Sequence, residues 1–253
     1  MEIDGKVAAV VGGASGMARA AAEQLAAKGA KIAICDLPSS KGAETAAAIK
    51  GATFHPMNVL EFDLAEEVLD DVVSQHGALH IAINTAGGGI GKRTLTKEGP
   101  HPLDEFQRTI DLNLIATFNI SRLAAERMAR NEPEDEERGV IINTASIAAF
   151  EGQIGQVAYT AAKAGIAGMT LTMARDLGGL GIRVNTVAPS LFATGLTEGI
   201  PDEFATMLTK DAAFPKRMGR PEEYGRLAVA IVENPMLNGG TIRLDAGQRF
   251  APK

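Results

Sequence analysis

Tyr159 stands in the run "AYTAAKAG", among alanines and a glycine, and Lys163 follows four positions on. On a helix, positions i and i+4 share a face, so the phenol and the ammonium point the same way with little to crowd them. A phenol with an ordinary pKa of about 10 is a weak acid and a scarce base at neutral pH, and a neighbouring cation is what brings it into use as a proton donor and acceptor. The spacing alone arises often by chance. It gains weight from Ser146, which ends the apolar run "GVIINTAS" (139–146), and from Asn113 in "DLNLIATFN", inside a long helical pattern. Hydroxyl, phenol, ammonium and amide form a set able to exchange a proton with an alcohol or carbonyl oxygen.

A second group of residues suits phosphate. In "VVGGASGMARA", Gly12, Gly13 and Gly16 follow an apolar run and open an alanine-rich helical pattern. Such glycines allow a tight turn and close approach of backbone to a pyrophosphate, whose charge the helix N-terminus then meets. A βα turn that binds nothing can look the same, but the strand before and the helix after are the context the dinucleotide reading requires. Asp36 ends the next apolar run, twenty residues after Gly16. A carboxylate there accepts both ribose hydroxyls of an adenosine and repels a 2′-phosphate. Neither Leu37 and Pro38 beyond it nor Ala14 and Ser15 in the turn is basic. The expected cofactor is therefore NAD rather than NADP; a merely solvated strand-end aspartate is the alternative.

These side chains need a scaffold that brings strand ends together. Strand-like runs at 6–11, 31–36, 53–59, 79–87, 139–146, 181–189 and 240–247 alternate with helical patterns at 16–30, 40–51, 63–77, 103–131 and 157–178. Alternation of this kind predicts right-handed crossovers, and hence an α/β fold with a doubly wound parallel sheet whose ligands sit beyond the carboxyl ends of the strands. No linker, repeat or low-complexity tract divides the chain, so one domain over 1–253 is expected. Two stretches exceed ordinary loop length: the glycine-rich 87–102, and the acidic 131–139, expected to be a solvated insertion.

Bulk properties narrow the classes. Of 253 residues, 45% are hydrophobic and 22% charged, and a formal charge of −6 disfavours nucleic-acid binding. No apolar run nears the ~18 residues of a membrane helix, and acids precede the first apolar run, unlike a signal or transit peptide. A cytoplasmic protein is expected. Cys35 is the sole cysteine, and His55, His76, His80 and His101 form no metal-binding pattern, so no metal is expected.

Taken together, these residues resemble the short-chain dehydrogenase/reductase family, from the glycine turn to "LNGGTIRLDAG". The resemblance implies a single Rossmann domain with a seven-stranded sheet. It implies a relay in which Tyr159 is general acid/base, Lys163 lowers its pKa and holds the nicotinamide ribose, Ser146 bonds the substrate oxygen, and Asn113 holds a water. It assigns cofactor contacts to Gly12, Ser15, Gly16, Met17, Asp36, Asn58, Val59, Ala86, Gly87, Tyr159, Lys163, Pro189 and Thr194. Within the family, "LDEFQRTIDLNL", "NEPEDEERGVIINTAS", "AAFEGQIGQVAYTAAKAG" and "AIVENPMLNGGTIRLDAG" look like the short-chain 3-hydroxyacyl-CoA dehydrogenases, whose animal relatives also oxidise 17β-hydroxysteroids. That implies NAD-dependent oxidation of a 3-hydroxyacyl-CoA. A steroid or other secondary-alcohol dehydrogenase is the near alternative. A 3-oxoacyl-carrier-protein reductase sits poorly with Asp36, and a non-enzymatic scaffold is the alternative of another class. The family usually assembles as homotetramers through two long helices and the last strand.

Five positions depart from the family pattern: Val11 for a threonine, Ala18 for the third glycine, Asn58 for an aspartate near the adenine, Thr85 for an asparagine that ties the sheet together, and Ser190 for a glycine near the nicotinamide. A weaker tie at Thr85 and altered NAD affinity are the expected consequences. On the substrate side, 197–214 reads as an amphipathic helix with Phe204, Met207 and Leu208 on one face, a mobile lid by resemblance. Phe150, Gln153 and Gln156 are expected to line the pocket. Lys92, Arg93, Lys210, Lys216 and Arg217 are candidates for CoA phosphates, although solvated charges would read the same way.

Overall fold

Strand and helix alternate because the apolar runs are too short to be anything but buried strands and the segments between them repeat at helical spacing. The structure, a computed structural model, describes residues 1–89, 91–194 and 202–252. In order come β1 (Val7–Val11), α1 (Gly16–Ala27), β2 (Lys31–Asp36), α2 (Gly42–Ala48), β3 (Thr53–Pro56), α3 (Leu64–His76) and β4 (Ile81–Asn84). Then follow α4 (Leu103–Ile110), a π-turn (Asp111–Ile115), α5 (Ala116–Met128), β5 (Gly139–Thr144), α6 (Val157–Gly178), β6 (Ile182–Pro189), α7 (Asp202–Thr209), α8 (Pro221–Glu233) and β7 (Thr241–Leu244).

The strands form one seven-stranded sheet in the order β3-β2-β1-β4-β5-β6-β7, parallel at every pairing. Every residue of β1, β4 and β5 is buried, as strands covered on both faces must be. On one face, Leu25 of α1 and Ala228 and Ile231 of α8 pack with Ile34, Ile83 and Ile142. On the other, Leu69 of α3, Leu123 of α5 and Met173 of α6 pack with Ala9, Ile141 and Val184. The strand order reverses between β1 and β4, which opens a crevice at their carboxyl ends.

Some expectations need correction. The helix expected over 103–131 is interrupted by the π-turn, where the Ala116 amide donates to the Asp111 carbonyl five residues back. The third strand stops at Pro56 because Asn58 turns the chain: its side-chain oxygen accepts from the Leu60 amide at 3.2 Å. The long stretch 87–102 contains a short antiparallel hairpin of Leu95–Thr96 and Gly99–Pro100.

The acidic insertion is not simply solvated. Glu134 and Glu137 exchange backbone hydrogen bonds across Asp135 and Glu136, whose φ values of 47° and 69° make the mirror-image turn that suits twisted strands. The Glu137 carboxylate then accepts from the Met1 ammonium and from Arg183, each at 2.8 Å, while Lys6 pairs with Glu134. The insertion is thus clamped to the amino-terminal end of the chain. Helix α8 had no counterpart in the sequence reading. Of the segment read as an amphipathic helix, Asp202–Thr209 is helical, with Met207 half-exposed and Leu208 partly buried. The Phe204 side chain and residues 195–201 lie outside the described residues. No helix among the described residues is long and apolar enough to cross a membrane.

Candidate active site

The crevice at the strand-order reversal holds a cleft of about 590 Å³. Its walls include Gly12, Ser15, Gly16, Met17, Asp36, Asn58, Val59, Ala86, Gly87 and Thr194, ten of the cofactor positions read from sequence. Gly12 sits at φ +81°, and a Cβ there would lie 2.6 Å from the Thr85 hydroxyl, so the turn admits only glycine. Ser15 precedes α1, and the first-turn amides of that helix have no acidic side chain beside them. Asp36 accepts from the Ala14 amide at 2.9 Å on one carboxylate oxygen and from the Leu37 amide at 2.7 Å on the other. These bonds aim the carboxylate into the cleft and leave further lone pairs for two ribose hydroxyls. The Asn58 amide donates to Glu61 at 2.9 Å and keeps an acceptor lone pair on its oxygen. A dinucleotide fits this donor set: a glycine cradle, a helix N-terminus and a fixed carboxylate at the far end. Pro189 ends β6 in register with Leu244 and is not among the cleft-lining residues.

The second half of the site is built on the end of β5. Ser146, two residues past the strand, caps the short turn Ile147–Ala149, its hydroxyl accepting from the Ala148 amide at 3.1 Å. Tyr159 lies in the first turn of α6 with its phenol near the Ser146 hydroxyl, which acts on its acidity. Lys163, one turn on, is buried; its ammonium donates to the Thr144 carbonyl at 2.9 Å and stands 5.6 Å from the Tyr159 ring centroid. Asn113, in the π-turn, is fully buried. It donates to the carbonyls of Gly88 (2.6 Å) and Thr109 (2.9 Å) and accepts from the Gly88 amide at 3.1 Å. A Cβ on Gly87 would fall 2.5 Å from the Asn113 oxygen and 3.2 Å from the Lys163 nitrogen. The glycine loop after β4 thus lies between these side chains and the cleft, and only a glycine leaves both polar groups room.

Charge behaves differently here from the sequence reading. Burial pushes the Tyr159 phenol above its ordinary value, with the Ser146 hydrogen bond opposing it. Burial also pushes the Lys163 ammonium down to about 8. In the protein alone burial thus dominates at both groups, and it keeps them in a dry pocket where an added positive charge acts with little screening.

The family model for short chain dehydrogenase matches residues 6–204. The chain belongs to the short-chain dehydrogenase family. It is 46% identical over 254 residues to the 3-hydroxyacyl-CoA dehydrogenase type-2 of Drosophila melanogaster, covering 99% of this chain and all of that one. The crystal structure of 3-hydroxyacyl-CoA dehydrogenase type-2 from Mycobacterium avium superposes with a TM-score of 0.94 at 41% identity, covering 98% of each chain. A 7α-hydroxysteroid dehydrogenase complexed with NADH and 7-oxo glycochenodeoxycholic acid superposes at 0.88 with 25% identity, covering 100% of this chain and 97% of that one.

In this dehydrogenase two of the departures from the family pattern, Thr85 and Ser190, have local accounts. Thr85 does not lose its tie: its hydroxyl donates to the Val11 carbonyl at 2.9 Å, beside its own amide at 3.0 Å, joining β4 to β1 where the cleft opens. Ser190 lines a separate cavity of about 280 Å³ with Phe192, Arg217 and Asp245 instead of the main cleft. Of the proposed pocket residues, Phe150 is half-exposed beneath Arg243, 5.3 Å from its ring centroid. Gln153 lines an outer groove with Arg93 and Thr160, and Gln156 accepts from the Gln153 amide at 3.0 Å. Lys92 pairs with Glu105 and Arg217 with Glu223, each at 2.7 Å, while Lys210 and Lys216 are exposed. The sequence reading missed Arg108 and Leu112, which line the cleft from α4 and its continuation. Their one-turn spacing just ahead of Asn113 was the available signal.

Proposed function

We propose that the chain oxidises the 3-hydroxyl of a 3-hydroxyacyl-CoA to the 3-oxo thioester with NAD. The observation that carries the proposal is the Ser146–Tyr159–Lys163 cluster at the end of β5, beside a dinucleotide-shaped cleft, in a chain 46% identical along its length to a 3-hydroxyacyl-CoA dehydrogenase type-2. NAD, when bound, supplies the hydride acceptor. The chain's own residues manage the substrate oxygen. Ser146 donates to it and sets its distance from Tyr159. Tyr159, as phenolate, takes the hydroxyl proton, and in reverse the phenol returns it to the carbonyl. Lys163 favours the phenolate and holds the nicotinamide ribose. Asn113, whose oxygen keeps one lone pair beyond the Gly88 amide, would hold the water that carries the proton outward. Asp36 gives NAD its preference over NADP. Residues 1–253 act as one catalytic domain.

The test is NADH formation with 3-hydroxyacyl-CoAs of increasing length, a hydroxysteroid and a simple secondary alcohol. A preference for the CoA esters is expected. Activity on the steroid alone would favour the second reading, which the 7α-hydroxysteroid dehydrogenase superposition supports. Tyr159→Phe should lower kcat by about 10²–10⁴-fold and spare NAD binding; turnover retained in that variant would refute the relay.

The same reading extends to assembly. A homotetramer is supported by exposed apolar side chains on the expected faces: Leu103, Ile115 and Phe118 along α4 and α5, and Val157 and Leu171 on α6. Light scattering of the purified protein tests it. The single buried Cys35 leaves no internal disulfide to require an oxidising compartment, in keeping with a cytoplasmic protein.

A further inference from the structure

The chain has two tyrosines. The second, Tyr224, is wholly buried in α8, on the face of the sheet opposite α6. Its hydroxyl lies 2.8 Å from the Thr144 hydroxyl. Thr144 is the last residue of β5, and its carbonyl is the acceptor for Lys163. One residue is therefore gripped from both sides: α6 holds its backbone through Lys163, and α8 holds its side chain through Tyr224. Ser146 stands two residues further along the same strand end.

We propose that Tyr224 is a positioning residue for the proton relay, fixing through the Thr144 hydroxyl the carbonyl that orients Lys163. The inference rests on the relay reading of Tyr159 and Lys163.

Packing alone does not call for this pair of hydroxyls. A phenylalanine and a valine would fill nearly the same space, with no polar atoms to satisfy. What the hydroxyl pair adds is direction. A buried hydrogen bond permits few geometries, whereas an apolar contact tolerates sliding and rotation. Direction matters at this point because Thr144 supplies the acceptor bond recorded for the Lys163 ammonium, which burial separates from water. A strand end free to rotate would carry that carbonyl away from Lys163 and displace Ser146 with it. Lys163 faces the Tyr159 ring on its own helix, the Thr144 carbonyl at the end of β5, Gly87 from the loop after β4, and Asn113 beside that glycine. None of these carries a fixed charge near neutral pH, and burial is the cause that sets the lysine's acidity. A moved pH limb would therefore report on the relay geometry.

The experiment compares Tyr224→Phe, Thr144→Val and Thr144→Ser with 3-hydroxybutyryl-CoA and NAD, measuring kcat, KM and the pH dependence of kcat. NADH binding is followed in parallel by its fluorescence. Tyr224→Phe should lose about tenfold in kcat with KM for the acyl-CoA within about twofold, and its acid limb should move to higher pH because the phenolate is less favoured. NADH binding should weaken, since Lys163 also holds the ribose. Thr144→Val should match it, the double variant should be no worse than either single, and Thr144→Ser should restore wild-type behaviour. Wild-type kcat and pH profile in Tyr224→Phe, whatever its thermal midpoint, would overturn the proposal and leave Tyr224 as a core residue. If Tyr224→Phe fails to fold, Thr144→Val decides by the same criteria. Turnover retained by Tyr159→Phe would instead overturn the relay reading beneath it.

Discussion

Replacing Lys163 by methionine should abolish the relay and, near neutral pH, relieve a strain on the folded state. Burial pushes the Lys163 ammonium from its ordinary 10.5 down to about 8. At 1.36 kcal/mol per pH unit that corresponds to roughly 3 kcal/mol held against folding when the lysine is charged. Methionine has similar length and no charge, but it leaves the Thr144 carbonyl without a donor, which costs about 1–3 kcal/mol. At pH 7 these terms nearly offset, so the absolute difference in stability is small. Its pH dependence is not. Because the folded state binds this proton less tightly than the unfolded chain, the penalty is full below about 8 and is relieved as pH rises toward 10.5. Between pH 7 and 9.5, wild type should gain about 2 kcal/mol relative to Lys163→Met. Urea unfolding followed by far-ultraviolet circular dichroism, at both pH values and one protein concentration, reads this directly. An equal difference at both pH values would mean that Lys163 keeps its ordinary acidity and that the dry-pocket account of the relay is wrong.

Asp36→Ser should raise KM for NAD by tenfold or more, from the loss of charge-assisted bonds of about 1.5–3 kcal/mol each, and narrow the preference over NADP; unchanged cofactor kinetics would remove the carboxylate from the ribose. Thr85→Val should lower unfolding free energy by about 1 kcal/mol, whereas Thr85→Ser should not, and equal stability in all three proteins would show that the Val11 bond contributes nothing. His76 shares the Thr53 hydroxyl with His55, each ring nitrogen 2.7 Å from it, and burial and the neighbouring His55 hold its pKa below the ordinary value. The unfolded chain therefore takes up this proton first, and stability should fall as pH drops from about 6.5 through the depressed value. His76→Gln should flatten that slope in acid unfolding curves, and an unchanged slope would exclude the histidine as its source.

Much of the sheet could be read from sequence because its strands are buried on both faces. Runs such as "KVAAVV" and "GVIINTAS" have one explanation once helices flank them. The candidate site could be located for the same reason: its residues stand at strand ends, where Asp36, Asn84-Thr85 and Ser146 interrupt apolar runs. What escaped depended on contacts between distant segments. Glu137 looks like one acid among many in "NEPEDEERG", and only its meeting with Met1 and Arg183 makes it structural. Helix α8 carried signals that went unread: Pro221 in its first turn, and Glu223, which accepts from the Arg220 amide at 2.7 Å in the manner of a capping box. Missing that helix concealed Tyr224 and, with it, the other side of Thr144. The lowering of the tyrosine's pKa by lysine was a family expectation, and in the protein taken alone burial pushes that phenol up instead.

The π-turn at Asp111–Ile115 has an effect beyond placing Asn113. A turn closed over five residues instead of four contains one residue too many for its length, so it acts as a phase shift of roughly 100° along an otherwise continuous rod. Helix α4 before it packs on α6, while α5 after it packs on α3 and the sheet. A uniform helix of this length would drive both halves toward one neighbour. The surplus residue lets one rod serve two, and Asn113 lies at the joint where the two phases meet.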